Sequence, residues 1–65
     1  MKFKFIGQKT ILGDFDTNKI YNILQFEVVG QHFCAYIIDN QNELTVIPYS
    51  SMDRFNENWS YMNND

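Results

Sequence analysis

The chain has 65 residues, 17% of them aromatic, and a formal net charge of −3. That length holds one small domain, and six Phe, four Tyr and one Trp supply too much ring surface for a disordered tail, since each such ring buries about 150 to 250 Å². A single cysteine, Cys34, excludes an internal disulfide, and with one histidine it leaves no zinc-ligand set; the reading is a cytoplasmic protein without a cofactor or metal.

The N-terminus MKFKFIG alternates, with Phe3 and Phe5 on one face and Lys2 and Lys4 on the other. This is the pattern of a half-buried strand over residues 1–6 and not the continuous apolar core of a secretory leader. Gly7 ends it. No apolar run elsewhere reaches the ~18 residues of a membrane-spanning helix, so no membrane partner is expected. Residues 8–19, QKTILGDFDTNK, are a long loop rich in turn formers; Ile11, Leu12 and Phe15 are expected to fold it back over the core.

Residues 20–29, IYNILQFEVV, form a strand whose apolar phase switches: Tyr21 and Ile23 share one face, and Leu24, Phe26 and Val28 the other. A β-bulge near Ile23 and Leu24 accounts for the switch and lets one strand serve two sides of a barrel. Gly30-Gln31 is a two-residue hairpin turn. A strand over 32–38 follows, apolar at so many positions that both faces look partly covered. The turn Asp39-Asn40-Gln41-Asn42 leads into a strand over 43–47 with Leu44 and Val46 on one face. Pro48 donates no hydrogen bond, so pairing is expected to end there. Ser51, Met52 and Phe55 have the spacing of a single helical turn, Glu57 to Trp59 are a short closing strand, and residues 60–65 are a frayed tail. The elements describe an all-β domain over 1–59: a small five-stranded Src-homology-3-like barrel with a long loop after the first strand and a one-turn 3₁₀ helix before the last.

Short segments along residues 3–57 carry a resemblance. Lys4-Phe5-Ile6-Gly7, Lys19-Ile20-Tyr21, Ile38-Asp39, and Pro48 followed by Phe55 resemble short uncharacterised Src-homology-3-like proteins of phages and Firmicutes. The resemblance implies the barrel and a phage or prophage setting, and it implies no activity. Pro48 and Tyr49 are also placed like the last proline and helical turn of the eukaryotic Src-homology-3 domains. That family's acidic-aromatic loop motif and paired tryptophans are absent, which weighs against proline-helix binding.

Each candidate site has a plainer reading beside the functional one. Asp14, Asp16 and Asn18 open like a calcium loop, but its sixth and twelfth positions fall on Lys19 and Gln25, so the reading is a solvated turn. His32 and Cys34 share a strand face without an orienting third group; Cys34 reads as a small buried hydrophobe and His32 as an edge residue. No phosphate loop or nucleophile elbow is present, and the chain is not expected to be an enzyme.

Charge divides the chain. Residues 1–19 carry Lys2, Lys4, Lys9 and Lys19 against Asp14 and Asp16, a net +2, and residues 20–65 carry Arg54 against Glu27, Asp39, Glu43, Asp53, Glu57 and Asp65, a net −5. A domain this small is not expected to bury all its polar-tipped rings, so Tyr49, Phe55 and Trp59, flanked by Asp53 and Glu57, form the expected acidic aromatic patch for a protein partner. The alternative is single-strand nucleic-acid binding, with Lys2, Lys4, Lys9 and Lys19 on the backbone and Tyr21 or Tyr36 stacking. A homodimer through an open barrel edge is compatible with both.

Overall fold

The computed structural model describes residues 1–7 and 13–63. Five strands and one helix follow in chain order: β1 (Lys2–Phe5), β2 (Ile20–Val29), β3 (His32–Ile38), β4 (Leu44–Tyr49), α1 (Met52–Asn56) and β5 (Trp59–Tyr61). All pairings are antiparallel, in the spatial order β4-β3-β2-β1-β5. The all-β class and the strand count are as the sequence indicates, but the barrel does not close. Among the described residues no ladder joins β4 to β5; α1 lies against both instead. No helix among them is long and apolar enough to cross a membrane.

β2 is the strand that both halves of the sheet share. Its first part pairs with β1, Phe3 opposite Tyr21, and its second with β3, Phe26 opposite Ala35. The register shifts between Ile23 and Gln25, so the bulge sits where the apolar phase changes. Tyr21 and Ile23 are buried before it; after it only Phe26 is drawn toward the core, while Leu24 and Val28 stay exposed. The chain reverses at Gly30 with φ +63°, and again at Asn42 with φ +61°. In the second turn the Asp39 carboxylate accepts hydrogen bonds from the backbone N–H of Gln41 and Glu43, as an Asp-led turn should. The Glu43 amide is the main reason the Asp39 carboxyl titrates below its ordinary value.

Three boundaries differ from expectation. β4 continues through Pro48, which lies opposite Cys34, to Tyr49 opposite Phe33. The reason is parity: the Asp39 N–H donates to the Glu43 carbonyl, so hydrogen-bonded pairs recur at Ile37–Thr45, Ala35–Ile47 and Phe33–Tyr49. Pro48 then falls in a non-hydrogen-bonded pair of an edge strand, with its nitrogen facing outward where no donor is missed. The single helical turn is α, not 3₁₀, capped by Ser51 Oγ accepting from the Arg54 N–H at 3.2 Å. The closing strand is Trp59–Tyr61 instead of 57–59, because Glu57 and Asn58 finish the helix by donating to Asp53 and Phe55 carbonyls. Ser60 and Tyr61 are therefore paired to β1, and the Met62 N–H donates to the Lys2 carbonyl. That stretch is sheet, not frayed tail; Asn64 and Asp65 lie outside the described residues.

The core is mainly aromatic. Phe3, Phe5, Phe15, Tyr21, Tyr49, Phe55 and Trp59 are buried with Ile23, Ala35, Ile37 and Ile47. The rings meet mostly edge-on or tilted, as their quadrupoles favour: Phe15 and Trp59 at 5.2 Å, Phe3 and Phe55 at 5.2 Å, Tyr49 and Phe55 at 5.3 Å. Phe15 shows that the long loop does return over the core; Ile11 and Leu12 lie outside the described residues.

Candidate functional site

The expected patch of Tyr49, Phe55 and Trp59 is corrected by burial. Their relative exposures are 7%, 1% and 1%. Tyr49 is on the inward row of β4, Phe55 is the buried face of α1, and Trp59 opens β5 beneath both. The Trp59 indole N–H donates to the Tyr49 hydroxyl at 2.8 Å, so each polar tip satisfies the other inside the core. Burial is the main cause that pushes the Tyr49 hydroxyl pKa up, partly opposed by hydrogen bonds involving Trp59 and Asn58. Asp53 and Glu57 do lie at the surface. Glu57 meets Arg54 at 3.4 Å, both side chains well exposed, a pairing of the kind that contributes little. Acid flanks the helix, but the three expected rings are not presented beside it; the exposed ring of this half is Tyr61, 60% exposed and 5.3 Å from Phe3.

The alternative set is also separated. Lys2 and Lys4 lie on the outward row of β1, opposite Phe3 and Phe5. The Lys19 ammonium instead donates to Asn40 Oδ1 at 2.7 Å and sits 5.6 Å from the Tyr21 ring centre. Tyr21 is buried; its hydroxyl donates to the same Asn40 oxygen at 2.8 Å and accepts from the Asp16 N–H at 2.7 Å. Tyr36 is on the outward row of β3, two strands from β1, donating to Glu27 at 2.6 Å, and that hydrogen bond is the largest cause raising its pKa. Tyr21 is thus closed to a stacking base, and β2 lies between Tyr36 and the strand that carries Lys2 and Lys4. Lys9 lies outside the described residues.

Asp14 and Asp16 are turned to protein, not arranged around a cation. The Asn40 side-chain amide donates to Asp14 at 3.4 Å and to Asp16 at 3.0 Å, and Gln41 reaches Asp14 at 3.4 Å. With the Asn40 N–H donating to the Asp14 carbonyl, these bonds latch the long loop onto the β3–β4 turn. No cluster of three His, Cys, Asp or Glu side chains able to hold a metal occurs among the described residues.

What the structure does assemble is the outer face of β2–β4. On β3, Phe33, Ala35 and Ile37 point inward, so His32, Cys34, Tyr36 and Ile38 point outward. Register extends that row sideways: Val29 beside His32; Glu27 and Pro48 flanking Cys34; Gln25 and Val46 flanking Tyr36; Leu44 beside Ile38. Val29, Leu44 and Val46 are 54%, 53% and 41% exposed. Cys34 is half-buried on this surface, not in the core as expected, while His32 is exposed next to the turn as expected. No other helix or strand of the described residues packs on this side. The sequence does carry a signal for the face: both alternate rows of residues 32–38 are apolar, and a one-core domain absorbs only one of them.

No family model, no curated protein and no solved structure matches the chain.

Proposed function

We propose that this chain is a non-enzymatic protein-interaction module that docks a partner through the outer face of β2–β4. The observation that carries the reading is the half-exposed row Cys34, Tyr36 and Ile38, continued by exposed Leu44, Val46 and Pro48, on which no other element of the described residues packs, in a domain that buries its tryptophan. Contiguous exposed apolar surface of this kind marks interaction sites. We further read the strand order as a small Src-homology-3-like barrel left open where α1 spans the gap. The free β4 edge is the poorer docking element. By the same parity that accommodates Pro48, only Leu44 and Val46 turn their N–H groups outward, and the proline ends the series, a usual guard against strand addition.

The test is retention of host proteins on the immobilised chain, wild type against Val46→Asp, with circular dichroism confirming that both are folded. A specific protein held by the wild type and lost from the variant is the expected outcome. Equal retention by both, or tight oligonucleotide binding that falls steeply with salt, overturns the reading.

A further inference from the structure

We propose that the occupant of the outer β2–β4 face is a short basic amphipathic helix of a protein partner. The inference rests on the docking-face reading and adds the chemistry of the partner. Residues 20–49, which contain all three strands and their turns, include Glu27, Asp39 and Glu43 and no Lys or Arg. Glu27 stands within the face, paired across the ladder with Cys34 and held by the Tyr36 hydroxyl at 2.6 Å. Asp39 and Glu43 pair with each other in phase with the inward row, so Glu27 is the carboxylate that stands on this face. An occupant therefore meets apolar side chains on β3 and β4, the Glu27 carboxylate on the β2 flank and no cation from these strands, and the complement is an apolar stripe bordered by lysine or arginine.

Size selects the same partner. Three strands about 4.8 Å apart, with β3 and β4 contributing seven and six residues at about 3.3 Å each, make a platform of roughly 20 by 15 Å. That is well short of the ~800 Å² that each subunit of a stable dimer buries. A second copy would also bring Glu27 against its own equivalent or against another surface without Lys or Arg. A helix of about fourteen residues is ~21 Å long and ~10 Å wide, which fits the platform. Helix on sheet is also one of the few stable ways to cover a sheet face. Phosphate backbones and anionic lipid surfaces require cations that these strands do not carry.

The experiment is an ¹⁵N–¹H titration of the full chain with a synthetic peptide of about fourteen residues, leucine on one helical face and lysine on the other, beside peptides with glutamate or serine replacing every lysine. The expected result is shifts concentrated at Glu27, Cys34, Tyr36 and Val46 with the lysine peptide. Binding should weaken as salt rises from about 0.05 M to about 0.3 M, and Glu27→Gln, with an otherwise unchanged spectrum, should weaken it about two- to fivefold. Equal binding of the serine or glutamate peptide at the face overturns the basic preference and leaves the docking face standing. Shifts elsewhere, or none, overturn both, and concentration-dependent self-association that shields the face assigns it to a second copy.

Discussion

Tyr36 and Tyr49 lie on neighbouring strands and differ in what surrounds them. Tyr36 is on the outward row of β3, half-exposed, its hydroxyl donating to Glu27 at 2.6 Å; Tyr49 is on the inward row of β4, 7% exposed, its hydroxyl accepting from Trp59 at 2.8 Å. Both have their pKa raised, one chiefly by a carboxylate neighbour and the other chiefly by burial. An aromatic ring's availability to a partner is thus decided by strand parity and by where its polar tip finds a bond, not by local composition. The corner after Pro48 holds Tyr49, Phe55 and Trp59 and buries all three, whereas the outer face of β2–β4 presents Tyr36.

The largest expected contrast comes from truncating each region. Trp59 is 1% exposed and packs against Phe5 at 5.0 Å, Phe15 at 5.2 Å and Phe55 at 6.2 Å. Trp59→Ala should cost about 3–5 kcal/mol, a large share of what a domain this small possesses. Urea unfolding followed by circular dichroism measures it, and a cost below about 1 kcal/mol would place Trp59 back among candidate surface residues. Next in size is the pair of hydroxyl deletions. Tyr49→Phe leaves the buried Trp59 indole N–H without its acceptor and should cost about 1–3 kcal/mol. Tyr36→Phe removes an exposed bond and should stay within about 0.5 kcal/mol. If the two variants unfold at the same denaturant concentration, the distinction between the regions fails.

Much of this was legible in the chain, and the misreadings have physical causes. β2 and β3 are readable because glycine at position 30 and the Asp39–Asn42 turn bound them, and the bulge because Tyr21-Ile23 and Phe26 occupy opposite phases. Pro48 does not end the strand as its chemistry alone suggests, because the missing donor matters only if the nitrogen faces a neighbouring strand, and that parity is set across the hairpin by Asp39 and Glu43. Tyr61 carries no local strand signal because a three-residue strand owes its existence to the open edge of β1, a long-range partner that no local pattern announces. The aromatic patch failed for the same reason. Nothing in Tyr49 or Trp59 alone indicates that their polar tips meet each other within the core, ten positions apart.

The smallest effect is invisible at neutral pH and appears on raising it. Tyr49 has a folded-state pKa above its unfolded value of about 10, because burial resists the tyrosinate charge. Its contribution to stability is therefore fully present below about pH 10 and is lost as pH rises through the folded value, since the unfolded chain gives up the proton more readily. Tyr36, also raised but at the surface, can ionise with the fold intact. Absorbance titration of the tyrosinate band should accordingly show Tyr49 ionising together with loss of the near-ultraviolet circular dichroism, and Tyr49→Phe should remove that coincident step. In Tyr36→Phe the step should persist. Ionisation of Tyr49 without any change in tertiary signal would mean that the Tyr49–Trp59 bond is open to solvent, and would return the corner after Pro48 to consideration as a docking surface.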